Sequence, residues 1–203
     1  MSLKTILRGP LGFGAAPLGN MFRDIPEDEA LATVTAAWDS GIRYFDTAPF
    51  YGAGLADLRL GATLDGRPRH DYVISTKVGR LILDEIEDVN ARDLGEKGGV
   101  FKHGRPNRIV SDYSGDATLR SIEDSLKRLR IDHVDIVFVH DVAQDFYGDE
   151  WLGVFETARK GAFKALDRLR DEGVIKAWGL GVNRVEPIEL LLALDGPRPN
   201  GCL

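Results

Sequence analysis

The sequence predicts an α/β domain built as a (β/α)8 barrel, of which about five β/α units are present. Three observations predict it. Short β-prone apolar runs alternate with amphipathic helical stretches, which implies parallel strands joined by helical crossovers. Four successive runs end in a polar or ionisable residue: Asp46 after "RYF", Lys77 after "YVIST", His140 after "DIVFV" and Asn183 after "GLGV". Parallel strands share a direction, so these residues, with Tyr51 in the loop after Asp46, gather at one end of the sheet. An open doubly wound sheet would draw its contributors from one switch point, whereas successive strands aimed at a common centre fit a barrel better.

The elements follow in order. "LGFGAAPLG" reads as the first strand. "PEDEALATVTAAWDSG" opens with Pro26 and acidic residues, carries Ala30, Leu31, Val34, Ala37 and Trp38 on one face, and stops at Gly41, so it is an amphipathic helix. "IRYFD" is the second strand, Leu55 to Leu64 the second helix and "DYVISTK" the third strand. From Arg80 to Tyr113 no period is sustained, which predicts a long loop or an insertion carrying small elements of its own. "GDATLRSIEDSLKRLR" spaces Leu119, Ile122, Leu126 and Leu129 helically, with Glu123–Lys127 and Asp124–Arg128 as supporting i,i+4 pairs. "VDIVFVH" reads as a fully buried strand, Phe155 to Glu172 as a helix ended by Gly173, "IKAWGLGVN" as a strand and Val185 to Leu194 as a helix. A sixth strand is expected to begin at "NGCL".

Composition narrows the function classes. At 203 residues the chain is read as a single domain, residues 1–203. The net charge of −6, with no cluster of Lys and Arg, argues against nucleic acid as a partner. Cys202 is the single cysteine, which excludes an internal disulfide framework and a cysteine metal cage, and the four histidines show no ligand pairing, so no metal is expected. The amino terminus lacks a signal-like apolar stretch, and no window reaches the ~18 apolar residues of a membrane span. The chain is therefore expected to be cytoplasmic, without a membrane partner. "LGFGAAPLG" lacks the third glycine of a dinucleotide fingerprint, and no phosphate-binding G-x-x-x-x-G-K-[ST] occurs.

Each polar residue has an ordinary reading. Asp46 could be a turn residue, Lys77 a solvated edge charge, His140 a structural histidine and Tyr51 a cap on the core. The combination favours a site, because opposite charges at buried strand ends must be paired to be tolerated. A lysine beside a tyrosine favours the phenolate and lowers its pKa, and a carboxylate beside the lysine keeps it charged. Such a phenol passes a proton to or from an oxygen, while a histidine orients the carbonyl. A site of this kind interconverts C=O and CH–OH and needs a hydride partner, so a nicotinamide cofactor is implied, with Asn183 suited to its carboxamide.

"GIRYFDTAPFYG", "STKVG", "VHD" and "GLGVN" together resemble the aldo-keto reductases, in the branch of bacterial aldose (L-fucose, D-threo-aldose) and pyridoxal dehydrogenases. The resemblance implies that Asp46, Tyr51, Lys77 and His140 form a catalytic tetrad with Tyr51 as proton donor or acceptor. It implies NADP or NAD as cofactor, held by Gly19, Asn20, Met21, Asp46 and Asn183. It also implies a small aldehyde, ketone or sugar as substrate, against Phe22, Phe50 and His140. Where the family carries a G-x-S-E block after "YG", this chain has Ala56 and Asp57, a shorter acid expected to weaken helix packing or a loop contact.

The family's barrel has eight strands, about 250 residues for the bare fold. Its stacking aromatic and adenosine-phosphate loop would lie beyond Leu203. The chain is accordingly expected to hold the chemical half of the site and to self-associate through exposed barrel edges. Two function classes remain open: an NAD(P)-dependent oxidoreductase, or a catalytically silent fragment or binding and regulatory protein on the same fold.

Overall fold

In a computed structural model of the chain, residues 2–88 and 99–203 are described. Six parallel strands form one sheet: β1 (Phe13–Gly14), β2 (Tyr44–Asp46), β3 (Val73–Val78), β6 (Ile136–His140), β7 (Ala177–Gly181) and β8 (Gly201–Cys202). Their spatial order is β1-β2-β3-β6-β7-β8, with every neighbouring pair parallel. The order never reverses. A doubly wound sheet must reverse at its switch point, so this monotonic order is that of a (β/α)8 barrel followed through six strands. The expected sixth strand is present as β8.

Helices α2 (Glu27–Asp39), α3 (Leu55–Leu64), α4 (Gly115–Leu129), α6 (Trp151–Lys160), α7 (Ala162–Asp171) and α8 (Glu186–Ala193) lie in the crossovers; α1 (Leu3–Ile6) and α5 (Gln144–Tyr147) are short. The larger core lies between sheet and helices, where Phe45, Ile74, Val137, Val139, Trp178 and Leu180 meet Val34, Trp38, Leu60, Leu129, Phe163 and Leu166. The alternate strand residues Val73, Ile136, Phe138 and Ala177 form a smaller cluster with Ile6, Leu3, Leu7 and Tyr44. Side chains two apart on a strand share a face. Tyr44 and Asp46, Val73 and Lys77, and Ile136, Phe138 and His140 therefore share the inner face. α1 covers its amino end, leaving Asp46, Lys77 and His140 at the carboxyl end.

The structure corrects three expectations. Only Phe13 and Gly14 of "LGFGAAPLG" pair as a strand, and Ala16–Gly19 is a 3-10 turn containing Pro17. The stretch from Phe155 to Glu172 is two helices, α6 and α7, divided at Gly161. A Cβ there would lie 2.5 Å from the Tyr113 carbonyl oxygen, which accepts a hydrogen bond from the Ala162 amide, so a long-range contact replaces the continuous helix. On α4, Asp124 pairs with Arg120 and Lys127, while Arg128 leaves the helix surface for Asp57 on α3. The aperiodic stretch from Arg80 does carry elements of its own: an antiparallel hairpin of β4 (Arg80–Ile86) and β5 (Asn107–Ser111). Its residues 89–98 lie outside those described.

Candidate active site

β2 ends just past Asp46: the Thr47 amide makes the last bond to β3, on the Ser75 carbonyl, and Pro49, with no N–H to donate, follows. The loop then closes on itself through Tyr51 N to Ala48 O and Gly54 N to Pro49 O. Gly52, Ala53 and Gly54 all have positive φ, so the chain doubles back immediately after Tyr51. A Cβ on Gly52 would lie 2.3 Å from the Gly19 carbonyl oxygen, so the Tyr51 loop and the turn after β1 meet glycine against glycine.

Asp57 fastens the loop from below: it is buried, accepts from Thr47 Oγ1 at 2.7 Å and pairs with Arg128 at 3.0 Å. The shorter acid thus keeps both a loop contact and a helix contact.

At the carboxyl end of the sheet, Lys77 Nζ donates to Asp46 Oδ2 at 2.6 Å and to the Thr47 carbonyl at 3.0 Å. Ser75 Oγ donates to the other Asp46 oxygen at 2.6 Å. The ammonium stands 4.8 Å from the centre of the Tyr51 ring, and the Tyr51 and His140 ring centres are 5.9 Å apart. All four expected tetrad residues are therefore together. Phe50 meets His140 edge to face at 6.2 Å, and Phe101, from the insertion, stacks on Tyr51 at 5.6 Å.

Burial sets the protonation states here. It pushes the Tyr51 phenol above its ordinary value, and the opposing pull of Lys77 does not reverse this. The lowered phenol pKa expected from the sequence is not found, because desolvation outweighs the lysine. Lys77 is itself desolvated, which acts to lower its pKa, yet Asp46 and Tyr51 hold it above the ordinary value. His140 is held well below its ordinary value by burial, then by Lys77 and Arg80, so its imidazole is neutral. Its Nδ1 is buried with no hydrogen-bond partner among the described residues. A neutral phenol, a neutral imidazole and a charged lysine face one another, and this set can exchange a proton with a substrate oxygen and orient it.

The remaining expected residues are placed differently. Asn20 is buried in a left-handed turn, its side chain fully engaged: Nδ2 donates to Asp24 and the His103 carbonyl, and Oδ1 accepts from the Ile25 amide and Arg59. Only its backbone is left to face a ligand, with that of Gly19 and the half-buried Met21. Asn183 is exposed at the end of β7 and donates to Asp145. Phe22 is 70% exposed, whereas Phe50 is half-buried against His140.

The sequence reading missed Arg80, Phe101, Tyr113 and Phe146, all of which pack at this mouth. Arg80 three positions after Lys77, and Asp141 directly after His140, were the available signals. Among the described residues no group of three or more His, Cys, Asp or Glu side chains could hold a metal, and no helix is long and apolar enough to cross a membrane.

Barrel-ordered parallel strands bearing an Asp–Tyr–Lys–His cluster at their carboxyl ends define the class as a (β/α)-barrel protein with a polar site at the strand ends. Comparison with known proteins gives the same assignment. The profile described as "Aldo/keto reductase family" matches residues 10–199, and the chain belongs to that family. It is 41% identical over 172 residues to a D-threo-aldose 1-dehydrogenase of a Pseudomonas species, covering 84% of this chain and 49% of that protein. It is also 41% identical over 180 residues to pyridoxal 4-dehydrogenase of Microbacterium luteolum, covering 85% and 52%. The chain thus spans about half the length of these curated relatives. Among solved structures, the holo form of an aldo-keto reductase from Bacillus halodurans superposes with a TM-score of 0.60 at 28% identity, over 90% of this chain and 49% of that one.

Proposed function

We propose that the protein is an NAD(P)-dependent oxidoreductase that interconverts a carbonyl and an alcohol, or an aldose hemiacetal and its lactone, with Tyr51 as proton donor and acceptor. The observation that carries this reading is the buried Lys77 ammonium, shared between Asp46 at 2.6 Å and the Tyr51 ring at 4.8 Å. A binding module has no use for a buried lysine held charged beside a buried phenol, because desolvating both is costly without a proton to move.

In the reducing direction, the protonated Tyr51 gives its proton to the developing alkoxide. Lys77 stabilises the phenolate left behind, and Asp46 keeps Lys77 charged and in place. In the oxidising direction the phenolate takes the alcohol proton. Neutral His140, its ring edge-on to Tyr51 with centres 5.9 Å apart, orients the same oxygen through a ring N–H. Phe50 and Phe101 wall the mouth and keep water from Tyr51. The nicotinamide supplies or accepts the hydride when bound. The backbone of Gly19, Asn20 and Met21, with Asp46 and the exposed Asn183 amide, would hold it. Substrates of the aldose and pyridoxal class are supported by the names of the relatives.

The purified protein, mixed with NAD or NADP and a panel of aldoses, alcohols and aldehydes, should change the absorbance of the nicotinamide with at least one pair. No turnover across the panel at saturating cofactor would contradict the reading.

A further inference from the structure

Arg80 stands beside the tetrad without belonging to it. The chain leaves β3 through Gly79, where φ is +106° and a Cβ would lie 2.2 Å from Tyr113 Cε1. That turn brings the Arg80 side chain to the His140 end of the sheet, where it is buried.

Its contacts converge on His140. Nη1 donates to the Tyr113 hydroxyl at 3.0 Å, and that hydroxyl donates to the His140 carbonyl at 2.6 Å. Nη2 pairs with Asp141 Oδ2 at 3.3 Å, and the same oxygen lies 3.4 Å from His140 Nε2. The guanidinium also faces the rings of Phe50 at 5.1 Å and Phe146 at 5.4 Å, and Phe50 in turn abuts the imidazole. Packing alone does not demand this residue, since burying a guanidinium costs more than an apolar side chain of similar volume. Asp141 moreover holds a left-handed φ of +57°, a strained conformation for a residue with a side chain, with its amide on the Gly181 carbonyl.

We propose that Arg80 is a positioning residue for His140, holding the histidine's backbone through Tyr113 and its ring edge through Asp141. The inference rests on the reading of His140 as the group that meets the substrate oxygen. Arg80 fixes where the imidazole ring points, and its charge acts with that of Lys77 against an imidazolium. Among the described residues, the groups facing the imidazole are Tyr51 from the β2 loop, Lys77 from β3, Arg80 from β4 and Asp141 from its own turn; Asp46 acts through Lys77 and Tyr147 through Tyr113.

The test is a nitrogen NMR titration of the histidine rings in the full chain, with the His140 signals assigned by their loss in His140→Gln. In the wild type the His140 nitrogens should not titrate near the ordinary value of about 6.5. In Arg80→Gln their midpoint should move up toward it. Tyr113→Phe removes one hydroxyl, keeps the packing, and serves as the second variant should Arg80→Gln fail to fold; it should shift the same signals. In the active protein each change should lower kcat by about 10- to 100-fold, the scale of a small misplacement, with the KM for cofactor within about twofold. Folded variants whose His140 signals superpose on those of the wild type would overturn the proposal. The titration is readable without turnover, so an inactive wild type would count against the carbonyl reading and not against the Arg80 link.

Discussion

The ammonium nitrogen of Lys77 lies 4.8 Å from the centre of the Tyr51 ring. Burial raises the Tyr51 pKa and Lys77 draws it back, so the lysine limits how far the phenol rises. Lys77→Met removes that pull without replacing it. On the proposed mechanism, alcohol oxidation needs the phenolate and rises with pH through the phenol pKa. The rise should therefore move to higher pH in the variant, and turnover at neutrality should fall. A pH profile of kcat for oxidation that is unchanged in Lys77→Met would separate the lysine from the tyrosine.

His140 should make the fold sensitive to mild acid. Its folded pKa is depressed, by burial first and then by Lys77 and Arg80, whereas in the unfolded chain it titrates near about 6.5. Below that value the unfolded chain binds a proton the folded one does not. Stability is therefore unaffected by this group above about pH 6.5 and falls as the pH drops toward the folded value, by at most about 1.4 kcal/mol per pH unit. Urea midpoints between pH 7 and pH 5 should decline less steeply in His140→Gln. Parallel declines would contradict a buried neutral imidazole.

Gly52→Ala tests the meeting of the two loops. The residue has φ +65°, and the added Cβ would meet the Gly19 carbonyl oxygen at 2.3 Å, backbone that cannot swing aside as a side chain does. The substitution should cost roughly 1–3 kcal/mol, as overpacking does, and should impair turnover by displacing Tyr51. Thermal melts with parallel kinetics check both arms. An unchanged melt would mean that the close approach is not needed.

The carboxyl end of the sheet, with its candidate site, was legible because strand periodicity and direction are written in short runs. Asp46, Lys77 and His140 each close an apolar stretch, and parallel strands then bring them together. What the sequence hid depends on contacts far along the chain. The break at Gly161 is set by the Tyr113 carbonyl, and Arg128 forms its ion pair with Asp57, 71 residues away, and not with Asp124 on its own helix. Arg80 and Phe101 lie in a stretch without period, so nothing local showed that it folds back on Tyr51. The phenol was misjudged for a related reason. The pairing with lysine is visible in sequence, but the desolvation that outweighs it is not.

Everything proposed for the site turns on Tyr51 moving the proton. The direct measurement compares kcat for wild type and Tyr51→Phe at saturating cofactor and substrate, with cofactor affinity measured separately by fluorescence. If Tyr51 moves the proton, kcat should fall by about 10² to 10⁴, the usual share of general acid–base catalysis, while cofactor affinity stays nearly unchanged. Wild-type turnover in Tyr51→Phe would contradict it.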